Sequence, residues 1–398
     1  MTAGGDDGPM NQTVAERSTA GWVHAARGAA ALGAAMGIGR FAFTPILPMM
    51  TAGAGLTAEA GATLATANYV GYLAGALAAT LSPRLANSPA VLRSSLVAVV
   101  VTLLAMPLSD SPIHWAVVRL VAGFASALVF VTAVNLMTDR LRHHSPHLAG
   151  WGFSGVGVGI AASGFLVLLL PEGVDWRGAW WTVAVLAAVL AGGAWSRHRH
   201  PGHAAVAADR SPSPRPTTGR WFATLLVCYT LEGVGYIVAG TFLVAAIERS
   251  SPGWLGKSAW IVVGLAAAPS AALWAWLGKR FSHPDLLTAA LALQAAGIAL
   301  PALAPGPVAA LVGAILFGVT FIGVSTIALA AGAHLRVPRA VALLTAGYSV
   351  GQIVGPLLVA PLMHRGFHTV LLVGAGVVAC AAATSTVLRV GYPEPEFD

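Results

Sequence analysis

Three ionisable residues sit inside stretches that are otherwise apolar: Arg40, Arg119 and Glu232. Arginine keeps its charge and presents a planar fork of donors, so out of water it anchors an anion or pairs with a carboxylate. A glutamate behaves differently, because its proton binding follows hydration and the charges beside it. Together they suit a site that captures a small anion and exchanges a proton, with mutual pairing of Arg40 and Glu232 as the structural alternative. Helical spacing extends the set: Thr44 follows Arg40 by one turn, Tyr229 and Tyr236 flank Glu232, and Gly123, Ser126 and Phe130 continue the face of Arg119. Asn68 and Tyr72 share another face, suited equally to an interhelical hydrogen bond and to a solute contact. Gln352 completes the polar candidates for lining a cavity. As a working hypothesis, Glu232 is the protonatable switch, while Arg119 and Arg40 are anion anchors or partners that displace its proton. Two cations against one anion tilt the cargo toward a small organic anion, or a polar compound with an apolar part.

Such residues need a scaffold that holds charge at membrane depth. Apolar residues make up 57% of the 398 and charged ones 9%, too little polar surface for a fold in water. Hydrophobic runs of about 20 residues predict twelve spanning helices and an all-α integral membrane protein. The net charge of +7 does not point to nucleic acid, because the basic residues fall in short loops between apolar runs. Placing both termini in the cytoplasm puts sixteen of the 22 Lys and Arg on that side, leaving Arg177, Arg249, Lys257 and Arg365 opposite. The reading is a multi-pass protein of the cytoplasmic membrane. Cleaving the Ala-rich start of the first helix as a signal would leave eleven spans and contradict that bias.

The chain divides into a disordered cytoplasmic tail over 1–20, a six-helix bundle over 21–195, a cytoplasmic linker over 196–219, a second bundle over 220–388 and a tail over 389–398. The linker is rich in His, Arg, Pro and Ser and reads as a hydrophilic hinge. Its His198, His200 and His203 are loose histidines in a basic loop rather than a metal site. Cys228 and Cys380 lie in apolar runs and offer no disulfide or metal-ligand spacing. No cofactor is expected beyond a proton gradient as driver.

Internal repetition supports the division. Gly37 to Pro48 matches Gly233 to Val244, Arg119 to Gly123 matches Ala314 to Gly318, and Gly155 to Gly159 matches Gly347 to Gly351, all at nearly one offset. At these matches Arg40 corresponds to Tyr236, Glu232 to Met36 and Arg119 to Ala314, so the repeated scaffold does not itself require the charges. Pro45 and Pro356 permit bending, and Gly155, Gly159 and Gly355 allow close sliding contact; these are the candidate gating positions.

Twelve spans in two six-helix halves joined by a basic linker resemble the major facilitator superfamily. Within it, Gly37 to Pro48, Ala67 to Gly75 and Leu231 to Leu243 resemble the YbfB/YjiJ group of bacterial transporters, over nearly the whole chain. The resemblance implies two pseudo-symmetric bundles around a central cavity lined by the first, fourth and seventh helices, a small-molecule cargo and a monomer in the bilayer. It also implies proton coupling for Arg119, which with Gly123 matches the superfamily pattern of the fourth helix. Two features depart from it. The loop between the second and third helices lacks the superfamily's aspartate, keeping only Arg84 and Arg93, and the Gly-Pro pair of many antiporters is absent from the fifth helix although Gly355-Pro356 occurs in the eleventh.

The function expected is secondary transport by alternating access. The chain has no Gly-x-x-x-x-Gly-Lys-Ser/Thr loop for ATP-driven pumping. An intramembrane enzyme would require a nucleophile with an adjacent base, or an acidic cluster, where only Glu232 occurs. A non-transporting membrane sensor with the same fold is the remaining alternative.

Overall fold

The computed structural model describes residues 9–141, 144, 147–171, 173–195, 218–250, 254–304, 306–337 and 339–393. Their regular structure is entirely helical, with no strand among the described residues. Twelve helices are long and apolar enough to cross a membrane. They are α1 (Gly21–Ala54), α2 (Ala58–Leu81), α3 (Pro89–Leu108), α4 (Pro112–Leu141), α5 (Leu148–Leu168), α6 (Trp176–Ala194), α7 (Gly219–Arg249), α8 (Ser258–Leu277), α9 (His283–Leu303), α10 (Pro307–His334), α11 (Ala340–Arg365) and α12 (Phe367–Arg389). Helices satisfy their own backbone polar groups, as a bilayer demands. Local sequence sets several starts: the side chains of Thr57, Ser88, Asp175 and Ser282 accept from backbone N–H groups three residues on, opening α2, α3, α6 and α9.

Burial separates inner from peripheral helices. The apolar windows of α1 and α7 are 94% and 89% buried, against 39% for α3, α6 and α8, so the first and seventh helices form the axis. Between the halves, α5 packs along α8, α2 against α11, and α1 against α7.

Glycines permit these approaches, and they do so twice. A side chain at Gly123 of α4 would strike the Asn68 carbonyl of α2, and one at Gly318 of α10 would strike the Val263 carbonyl of α8. Gly159 of α5 lies against Gly33 and Gly37 of α1, as Gly351 of α11 lies against Gly233 of α7. The glycine matches between the halves therefore correspond to equivalent helix crossings, with backbones close enough to exclude a Cβ.

Two boundaries differ from expectation. A helix begins at Pro9 inside the segment read as a disordered tail and runs to Leu32, continuous with α1. Gly-rich composition had suggested otherwise, but residues 10–20 contain no glycine or proline to stop a helix. At the other end the chain folds back: Val390 accepts from the Trp221 indole, and the Tyr392 hydroxyl donates to Ala331. The linker reading lies outside the described residues except for 218–219.

Candidate functional site

The site is built on a break in α1. Residues Gly33–Arg40 form a π-helix, Phe41 and Ala42 turn, and an ordinary helix resumes over Phe43–Ala54. Pro45 supplies the cause, since it has no N–H and its ring crowds the carbonyl four residues earlier. The Thr44 N–H turns to Phe41 O at 3.2 Å, so the Arg40 carbonyl loses both of its helical donors.

Arg119 fills that gap. From α4 its guanidinium donates to Gly39 O at 3.1 Å and to Arg40 O at 3.0 Å, above the ring of Phe43. Asn68 of α2 donates in turn to Arg119 O at 2.8 Å, and Ser126 donates to Ala35 O at 2.9 Å. Three residues expected to contact cargo or proton are thus engaged with backbone oxygens. A broken span leaves carbonyls that lipid cannot satisfy, and neighbouring side chains do so here.

Arg40 has a different setting. Its guanidinium donates to Gln352 Oε1 of α11 at 2.8 Å, and Gln352 donates onward to the Tyr236 hydroxyl of α7 at 2.8 Å. The charge lies 4.0 Å from the centre of the Tyr72 ring, with Phe41 and Tyr69 at 5.2 and 5.3 Å. The expected alternative of an Arg40–Glu232 pair is not formed, because Gln352 takes the position facing the guanidinium. Both halves contribute to this cage, whose aromatic faces suit a cation that is only partly hydrogen-bonded.

Glu232 is fully buried in α7, and neither carboxyl oxygen has a hydrogen-bond partner among the described residues. Gln294 of α9 is its hydrogen-bonding neighbour, at a geometry looser than a closed hydrogen bond. Buried polar atoms left this way are uncommon and call for an explanation.

Aromatic rings connect the two charges. Tyr348 is sandwiched between Tyr229 and Tyr236, with centroids 4.4 and 5.2 Å apart and planes within 16° and 13°. Phe321 closes on Tyr236 and on Phe41, which also meets Trp260. Five of the six tyrosines in the chain, all except Tyr392, gather at this centre.

Toward Ala54 and Arg249 the two axial helices are joined. Thr44 donates to the Gly240 carbonyl, Tyr69 shares a 3.1 Å hydrogen bond with Thr241, and Phe242 to Ile247 are buried. Thr44 therefore links the halves and does not line open space. Of the gating candidates, Pro45 makes the α1 break, Gly155 and Gly159 are the α1–α5 crossing, Gly355 seats α11 on α7, where a Cβ would meet the Val234 carbonyl at 2.5 Å, and Pro356 is buried within α11.

Sequence reasoning missed Gln294 and Tyr348. A lone amide within the apolar run of α9 was the available signal for the first. For the second it was the four-residue spacing from Gln352, which puts both on one face.

Comparison with known proteins agrees with this architecture. No curated protein matches the chain by sequence. Two solved structures of the nucleoside transporter NupG superpose on the chain, one with a TM-score of 0.65 and the other, of a point mutant, with 0.66. They are 15% and 14% identical to this chain, covering 95% and 92% of it and 100% and 99% of their own lengths, and at that identity the likeness is one of fold. The family model described as "Uncharacterised MFS-type transporter YbfB" matches residues 32–386, nearly all of the twelve-helix region. The chain is a multi-pass membrane protein and belongs to the YbfB family of major facilitator transporters.

Proposed function

We propose that this chain moves a small organic solute across the cytoplasmic membrane by alternating access, coupled to a proton carried by Glu232, with both termini in the cytoplasm. The observation that carries the reading is the condition of Glu232, fully buried with both oxygens unpartnered and with Arg40 bound elsewhere. An ionised carboxyl with no counter-charge and only the loosely placed Gln294 amide as donor is costly out of water, whereas the neutral acid is tolerated. Glu232 then holds a proton while enclosed, and it releases the proton when helix motion admits water or brings a cation near.

The cage around Arg40 supports a choice of cargo. A guanidinium among tyrosine and phenylalanine faces suits a solute with an anionic or strongly accepting group attached to a flat or apolar body. Binding would exchange the Arg40–Gln352 hydrogen bond for one to the solute, loosening a link between the halves. The join of α1 and α7 near Thr44 and Gly240 is consistent with a state shut on the outer face. Prolines, glycine crossings and the broken α1 supply the parts that rocking requires.

The test uses proteoliposomes enclosing a pH-sensitive dye, challenged with organic anions, cations and neutral solutes, for the native protein and Glu232→Gln. Proton movement evoked by one class and lost in the variant is the expected result. Labelled solute equilibrating without proton movement in both proteins would overturn the coupling.

A further inference from the structure

A second charged site lies away from the central cage, at the ends of α1, α3, α4 and α6 on the face that carries the termini. Arg27, Arg93 and Arg140 converge there with His24 around a cavity of about 40 Å³, room for about three waters or one phosphate-sized group. Leu92, Leu96, Leu136 and Met137 also line it, so the lining is partly charged and partly apolar. Arg27 and Arg140 are close enough to repel, and Asp139 is the acidic group acting on Arg140. Arg93 stacks over Trp195, 5.6 Å from the ring centre, just past the end of α6. Among the described residues, three guanidinium groups are drawn together at a membrane boundary, with Asp139 as the carboxylate acting on Arg140.

The surface beyond the cavity is apolar and open. Along α3, Val97, Val101 and Leu104 follow Arg93 at helical spacing and are 50%, 55% and 41% exposed. On α6, Val185 and Val189 are exposed as well, and Trp195 at 42% completes a rim of the kind found where a bilayer meets water.

We propose that this groove is a binding site for an anionic phospholipid, whose phosphate sits among Arg27, Arg93 and Arg140 while an acyl chain runs along the exposed stripe of α3. Guanidinium groups bind phosphate through paired, charge-assisted hydrogen bonds, and basic pockets between spanning helices hold anionic headgroups. The lipid would relieve the repulsion among the arginines and tie α1 to the peripheral helices of its own half. A soluble phosphate would share the polar contacts, whereas a lipid at the bilayer edge also meets the lipid-facing stripe of α3 that continues from Arg93.

Native mass spectrometry of the full, delipidated chain in neutral detergent provides the test, with titrations of phosphatidylglycerol, phosphatidylcholine and inorganic phosphate. The comparison variants are Arg27→Gln/Arg93→Gln/Arg140→Gln and a control that removes three charges from loops on the same face, Arg84→Gln/Lys279→Gln/Arg280→Gln. Preference for phosphatidylglycerol, weakened about fivefold per arginine removed and retained in the control, is expected. Equal loss in the control would show diffuse surface attraction and overturn the site. Inorganic phosphate displacing the lipid at equal concentration would overturn the lipid as ligand. Arg93→Gln alone, on a peripheral helix, is measured as well, so that misfolding of the triple variant does not decide the outcome. Unchanged preference in that single variant, with the triple variant unfolded, counts against the groove.

Discussion

Arg40 and Gln352, 312 positions apart in the chain, meet in a 2.8 Å hydrogen bond that joins the first half of the molecule to the second. One partner is charged and both are buried, so each depends on the other for satisfaction. In the proposed function, a solute capturing the guanidinium would release Gln352 Oε1, while Gln352 Nε2 keeps its hydrogen bond to the Tyr236 hydroxyl within the second half. On the proposed transport cycle, the Arg40–Gln352 bond would connect solute capture to separation of the halves.

Gln352→Leu leaves the Arg40 guanidinium without this acceptor. It should destabilise the protein by about 1.5–3 kcal/mol, the range for a hydrogen bond to a charged group. Thermal unfolding in detergent checks this, and a double-mutant cycle with Arg40→Met should show that the two effects do not add. Full additivity would mean that the pair is uncoupled.

Arg119→Ala removes donors from two carbonyls at the α1 break, at about 1–3 kcal/mol for each oxygen left unsatisfied. Pro45→Ala returns an N–H to this turn, so it should recover part of the lost stability in the Arg119→Ala background. If Arg119 acts instead on the proton, the double variant remains inactive although its melting temperature recovers.

Glu232→Gln removes the ionisable group and keeps the shape. Its melting temperature should equal or slightly exceed that of the native protein, since a neutral amide replaces the proposed neutral acid in the same space beside Gln294 and never has to carry a buried charge. Solute binding should persist while proton-driven accumulation falls to background. A large loss of stability would identify the carboxyl as a structural anchor.

Gly123→Leu and Gly318→Leu each place a side chain onto a backbone carbonyl of the neighbouring helix. Both should sharply reduce the yield of monodisperse protein in size-exclusion chromatography, because backbone oxygens cannot move aside as flexible side chains do. Leucine at Gly192 or Gly376, where a Cβ meets nothing nearby, should be tolerated.

Composition and periodicity by themselves determined the twelve spans, the two halves and the exclusion of a soluble fold. Those properties depend on the bilayer's demand for about 20 apolar residues per crossing, which every segment meets independently. The glycine repeats carried tertiary information for a similar reason: a missing side chain is legible wherever two backbones must touch, and the same crossings recur in both halves. Arg40, Arg119 and Glu232 stood out as charges at depth, but their types and spacing did not set their partners. Partner choice was decided by the tertiary structure. Pro45 opens α1 and leaves carbonyls that draw in Arg119; Gln352 reaches Arg40 before Glu232 can; and Glu232 is enclosed beside an amide from α9. Each outcome depends on helices distant in sequence arriving at one point, where buried charges take the best available donors and acceptors. No local pattern in the chain contains that competition.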